Sequence, residues 1–123
     1  MGKILLVDED FHSGGYLVFY LQLWGHEVGY CRDKKKVLER VVEMSGSPDL
    51  IILDECTSNF DPYKILDELR RTNFVRRGKT PVLLITKREI NRRKMRSYPG
   101  KYDFTSNPYF WTEVQRKVNS LIN

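Results

Sequence analysis

The sequence predicts an α/β fold: a doubly wound, five-stranded parallel sheet with helices on both faces. Three observations carry this expectation. Short apolar runs alternate with longer segments of helical spacing, the order that builds β-α units. Residues 3–7, 50–53 and 81–85 are almost wholly apolar, as strands covered on both faces must be. These three runs are followed by acids or a hydroxyl, at the carboxyl edge where open parallel sheets hold ligands. Right-handed crossovers leave few other topologies.

Taken in order, residues 3–7 form the first strand and lead into Asp8, Glu9 and Asp10. Residues 16–24 are rich in large apolar side chains and make a helix that Gly25 closes. Gly14 and Gly15 should loosen its first turn. Residues 27–31 are a short second strand. Residues 34–44 bring Val37, Leu38, Val41 and Val42 onto helical spacing before Gly46. The third strand, 50–53, is followed by Asp54. Asp61 and Pro62 open the next helix, because Asp accepts from unpaired N–H groups and Pro fits the first helical position. Its apolar stripe is Ile65, Leu66 and Leu69. The fourth strand, 81–85, is followed by Thr86, and the basic segment around Ile90 and Met95 reads as helical. Residues 102–105 are a short fifth strand. The last helix, 109–122, places Trp111, Val114, Val118 and Leu121 at 3-4-3 spacing.

With 123 residues, the chain reads as one domain, 1–123, and 41% apolar residues are enough for a core. No apolar run approaches the roughly 20 residues of a membrane span. Strand pattern begins at Lys3, leaving no room for a signal peptide. Cys31 and Cys56 belong to no CxxC pair, so neither a disulfide framework nor a metal site is expected of them. The expectation is a reduced, cytoplasmic protein. The net charge of +5 is unevenly spread. Residues 70–101 hold twelve Lys or Arg and one acid, Glu89, for +11, whereas the rest carries −6. Half of the case for this run is an ordinary solvated face; the other half is an acidic partner or nucleic acid.

Asp8, Glu9, Asp54 and Thr86 should meet at one rim of a parallel sheet. Singly, each acid reads as a helix cap or a solvated loop residue. Together they read as a site, because carboxylates held close resist ionising together unless a cation neutralises them. A hard cation such as Mg2+ takes oxygen ligands of this kind.

At these residues the chain resembles the receiver domain of two-component response regulators, whose flavodoxin-like fold is that of the chemotaxis regulator. The resemblance runs over essentially the whole chain. It rests on residues 3–10 with their acidic pair, on Gly25-His26-Glu27-Val28, on 48–54 ending in Asp54, on 81–86 ending in Thr86, and on the spacing of Gly100, Phe104, Asn107 and Pro108. The resemblance implies a phosphoprotein of phosphorelay signal transduction. Asp54 would be the phosphoacceptor, attacking phosphorus as a carboxylate. Asp8, Glu9, Asp54 and the Cys56 backbone carbonyl would hold Mg2+. Thr86 would sense the phosphoryl group, and Phe104 would follow Thr86. It further implies a histidine kinase or phosphotransfer protein as donor. No enzymatic action is implied beyond accepting and losing the chain's own phosphoryl group.

Departures from the family pattern make the receiver atypical. The family Lys that pairs with the phosphoryl group is here Asn107, which can donate a hydrogen bond but brings no charge. A charged hydrogen bond contributes roughly 1.5–3 kcal/mol against about 1 for a neutral one. In the loop after Asp54 the usual Pro and Gly are Ser58 and Pro62, and the small residues usual after the Thr and after Gly100 are Lys87 and Lys101. Lys87 reads first as a solvent-facing lysine, with replacement of the missing Lys as its sharper role. In receivers the usual output face joins the fourth helix, the fifth strand and the fifth helix. Here residues 87–101 and the last helix would give that face a positive charge and an output protein as partner.

Two other readings remain at this point. A pseudo-receiver would use the same fold as a phosphorylation-independent interaction module, which Asn107, Ser58 and the basic output face favour. Nucleic-acid binding through 70–101 is the weaker alternative. His12 and His26 have no Ser or Cys partner pattern and read as surface histidines. Met44 and Met95 read as fillers, and Trp24 and Trp111 as core anchors. Gly14-Gly15 matches neither dinucleotide nor P-loop patterns.

Overall fold

Strands apolar on both sides need cover on both faces, and the structure supplies it. The computed structural model describes residues 2–44, 47–55, 61–71, 80–86, 92–96, 98–106 and 109–123. Five strands, β1 (Lys3–Val7), β2 (Glu27–Cys31), β3 (Leu50–Glu55), β4 (Val82–Thr86) and β5 (Tyr102–Ser106), pair in parallel in the order β2-β1-β3-β4-β5. Among the described residues four helices flank them: α1 (Phe11–Leu23), α2 (Val37–Glu43), α3 (Pro62–Arg70) and α4 (Trp111–Ile122). The chain runs outward from β1 to β2 and then returns to β3. The topological switch therefore lies between β1 and β3, where ligands of such sheets sit.

Strand alternation sorts the core into two layers. Ile4, Leu6, Ile52 and Ile85 pack with Leu17 and Leu21 of α1 and with Val114 and Val118 of α4. On the opposite face Leu5, Val7, Leu53 and Leu84 pack with Val41 of α2, with Ile65, Leu66 and Leu69 of α3, and with Met95 and Phe104. Each fully buried side chain of this size contributes roughly 1.5–3 kcal/mol.

Several expectations are corrected. α1 starts at Phe11 rather than at residue 16, because Asp10 caps it by accepting from the His12 N–H. Gly14 lies inside the helix. A Cβ there would come within 2.1 Å of the Tyr30 hydroxyl, so this glycine lets α1 approach β2. Gly25, at φ 95°, closes the helix as expected. The segment 34–44 splits into a 3-10 turn, Lys34–Lys36, and the seven-residue α2. So short a helix at the sheet edge presents one row inward. Val37 and Val41 are buried, while Leu38 and Val42 are exposed.

α3 begins at Asp61-Pro62 as expected, the Asp61 carboxylate accepting from the N–H groups of Tyr63 and Lys64. β3 and β4 run to Glu55 and Thr86, so Asp54 and Thr86 belong to their strands rather than following them. Around Met95 the described residues form a 3-10 turn, Arg92–Met95, with Met95 buried; Ile90 lies outside the described residues. The last helix starts at Trp111, since Phe110 keeps an extended backbone. α4 is tied to β5 through Thr105, whose hydroxyl donates to Glu113 at 3.0 Å. Lys117 reinforces this by pairing with Glu113 and donating to the Phe104 carbonyl.

His12 is exposed, but His26 is buried, contrary to its reading as a surface residue. Its Nδ1 accepts from the Gly2 N–H at 3.1 Å, where the chain entering β1 passes the turn before β2. Burial holds its imidazole below the ordinary pKa. Trp24 and Trp111 are half-buried members of an aromatic layer between α1 and α4, with Tyr20 stacked on Trp111 at 4.1 Å. Of the twelve cations in 70–101, the side chains of Arg71, Arg93, Arg96 and Lys101 are described, and all four are exposed. The side chains of the other eight are not among those described. Among the described residues no helix is long and apolar enough to cross a membrane.

Candidate functional site

The site is built on the two strands that flank the switch point. Val7 pairs with Leu53, which sets Asp8 and Asp54 side by side one residue further along. Both side chains alternate onto the α1–α4 side of the sheet, and both residues are fully buried. Burying a carboxylate is costly unless hydrogen bonds compensate, and Asp8 has them at every polar group. Its Oδ1 accepts from the Asp10 N–H at 2.9 Å and its Oδ2 from the Ser13 hydroxyl at 2.7 Å. Its own N–H donates to the Cys31 carbonyl at 3.1 Å, and its carbonyl accepts from the Tyr30 hydroxyl at 3.2 Å. Asp8 is thereby fixed by β2 and by the first turn of α1.

Asp54 is held by its strand, opposite Ile85, and Glu55 stands opposite Thr86 one rung on. Thr86 is 3% exposed, and its Oγ1 makes no hydrogen bond among the described residues. Buried hydroxyls are seldom left so. Thr86 and Phe104 fall on the α2–α3 side of the sheet, with Phe104 buried opposite Leu84. Glu9 is half-buried in the turn between β1 and α1. The structure therefore brings Asp8, Glu9, Asp54 and Thr86 to one rim. Cys56, Lys87 and Asn107 lie outside the described residues, as does Ser58.

Two side chains at the site escaped sequence reasoning. Ser13 anchors Asp8; its signal was its place in the helical turn directly after the acids. Tyr109 precedes α4, edge-on to Trp111 at 5.2 Å. Burial pushes its phenol well above the ordinary range, and the negative charges of Asp54 and Asp8 add to this. In the sequence it reads as the start of a helix, and only the folded chain carries it beside the carboxylates.

As a donor set, paired carboxylates at a sheet rim suit a hard, oxygen-seeking divalent cation. Among the described residues no three His, Cys, Asp or Glu side chains form a metal-ligand cluster. Asp8 and Asp54 stand side by side as oxygen donors of that kind, and Glu9, half-buried in the turn beyond Asp8, does not close with them into a three-ligand cluster.

This strand order with its flanking helices is the flavodoxin-like fold of response-regulator receiver domains. Solved structures that share it include the chemotaxis protein CheY4 of Vibrio cholerae, with a TM-score of 0.83 at 18% identity over 98% of each chain. The N-terminal domain of the nisin resistance regulator NsrR gives 0.79 at 21% identity, over 100% of this chain and 99% of that one. The receiver domain of the sensor histidine kinase PA1611 from Pseudomonas aeruginosa PAO1, with a magnesium ion coordinated in its active-site cleft, gives 0.78 at 20% identity, over 98% and 97%. At these identities the likeness is one of fold. In sequence, the uncharacterized transcriptional regulatory protein YvcP of Bacillus subtilis (strain 168) is 27% identical over 124 residues, covering 99% of this chain and 49% of YvcP. The chain spans about half the length of that relative. No family model matches the chain.

Proposed function

We propose that the chain is a response-regulator receiver that accepts a phosphoryl group on Asp54 from a histidine kinase or phosphotransfer protein. The observation that carries this reading is the pair of fully buried carboxylates, Asp8 and Asp54, side by side at the switch point of a receiver fold. A carboxylate oxygen of Asp54 attacks phosphorus, the bond from phosphorus to the donor breaks, and the leaving group keeps the electron pair. Asp8, Glu9, Asp54 and the Cys56 carbonyl would hold Mg2+, which supplies charge neutralisation at the transferring group. Ser13 keeps Asp8 oriented throughout. The buried Thr86 hydroxyl donates to a phosphoryl oxygen and couples the site to Phe104 and to the face around Arg93, Arg96, Lys101 and α4. An output protein binds there. The chain works in the cytoplasm, and its chemistry is limited to gaining and losing its own phosphoryl group.

Incubation with a small acyl phosphate and Mg2+ should add one phosphoryl group to the intact mass. Asp54→Asn, or chelation of the metal, should abolish the gain. Asn107, at the place of the family Lys, is the observation that favours a second reading, a phosphorylation-independent interaction module. An unchanged wild-type mass would favour that module.

A further inference from the structure

α1 is a surface helix almost devoid of charge. Its thirteen residues, FHSGGYLVFYLQL, include no Asp, Glu, Lys or Arg, in a chain of which 30% is charged. Leu17 and Leu21 form its buried row, and a helix facing water alone should be polar on the other side. Instead, Tyr16, Phe19 and Leu23 are 63%, 59% and 66% exposed. Large apolar side chains bury roughly 150–250 Å2 each. These three therefore leave on the order of 400 Å2 of apolar surface open, the size of the largest patch on a typical monomer. Beside them a shallow apolar hollow is lined by His12, Gly15, Tyr16, Phe19 and Tyr20. At Gly15 a side chain would meet nothing within 4 Å.

We propose that this face is an interface between two copies of the chain, packed about a two-fold axis across α1. The helix is self-complementary. With two copies antiparallel and Phe19 on the axis, Leu23 of each falls opposite Gly15 of the other, a bulky side chain against the hollow. Two-fold symmetry makes that fit twice.

Charge favours a second copy over a different protein. The face offers nothing for a charged partner to recognise, and its lack of charge spares two cationic chains repulsion at the seam. Arg93 and Arg96 flank Met95, which packs in the layer on the opposite side of the sheet. Size agrees as well. About 400 Å2 per copy from three side chains, widened by Tyr20, Gln22 and Trp24, approaches the roughly 1,000 Å2 in total that a specific interface needs.

Sedimentation equilibrium of the whole chain, from micromolar to millimolar concentration, tests this. Wild type should pass from the mass of one chain to that of two. Phe19→Glu and Leu23→Glu, each on an exposed side chain, should keep the wild-type circular dichroism and the mass of one chain throughout. Should either variant fold poorly, a mixture of Gly15→Cys and Leu23→Cys chains should oxidise to a crosslinked pair well beyond either variant alone. A wild type that stays monomeric across the range overturns the proposal and leaves the face to a different protein. A dimer that survives both charge substitutions overturns it too.

Discussion

Asp8 and Asp54 stand at the same level on neighbouring parallel strands, each one residue past the paired Val7 and Leu53, and both are shut off from solvent. Two carboxylates reach that position because the parallel strands beneath them are apolar on both sides and the winding of the chain reverses between β1 and β3. The hydrogen bonds around Asp8 then set the terms on which the pair is tolerated.

The first prediction concerns Ser13. Its hydroxyl donates to Asp8 Oδ2, and Ser13→Ala leaves that buried oxygen a partner short. Loss of a hydrogen bond to a buried charged group costs about 1–3 kcal/mol. The urea midpoint should fall accordingly with an unchanged slope. An unchanged midpoint would mean that water replaces the hydroxyl without penalty.

The adjacent glycines of α1 should respond in opposite directions. Gly14→Ala drives a methyl into the Tyr30 ring and displaces the hydroxyl that Asp8 accepts from, so it should destabilise by about 1–3 kcal/mol. Gly15→Ala meets open space and should stabilise by about 0.5–1 kcal/mol through backbone entropy. Melting curves taken at high dilution, where the chain is monomeric, read both signs.

His26 should make stability depend on pH. Burial lowers its pKa in the folded chain, so the unfolded chain takes up the proton first on acidification. Its contribution is fully present above the unfolded value of about 6.5 and is lost as pH falls from there toward the lowered folded value. His26→Gln should flatten this part of the profile. Melting temperatures from pH 8 to 5 test it; equal slopes in wild type and His26→Gln would refute it.

At position 107 the prediction concerns switching. If Asn107 holds the place of the family Lys, as proposed, it would offer a neutral donor where a cation would balance the phosphoryl charge, so phosphorylation should shift Thr86 and Phe104 only in part. Asn107→Lys should enlarge the phosphate-induced NMR changes at both residues. Equal changes in wild type and variant would point to another cation, with Lys87 the first to test.

Much of this architecture is legible in residue order alone. Continuous apolar runs announce β1, β3 and β4, and Asp61-Pro62 announces α3, because these signals are local. The rim acids are legible for the same reason: each directly follows or closes an apolar run. What escaped depends on contacts between distant segments. Gly14 looks like a weak helix residue until Tyr30 is placed against it. His26 looks exposed until Gly2, 24 residues earlier, donates to it. Leu38 and Val42 fit a helical stripe, yet α2 is too short and too near the edge to bury them. Tyr109 reaches Asp8 and Asp54 only once α4 is laid against the sheet.

The central claim, that Asp54 is the phosphoacceptor, is tested most directly by locating the phosphoryl group. Wild-type protein treated with a small acyl phosphate and Mg2+ is reduced with borohydride, which converts an aspartyl phosphate to homoserine, and its peptides are sequenced by mass spectrometry. The account predicts homoserine at position 54, dependent on Mg2+ and absent at Asp8. Aspartate persisting at position 54, or homoserine appearing elsewhere, would contradict it.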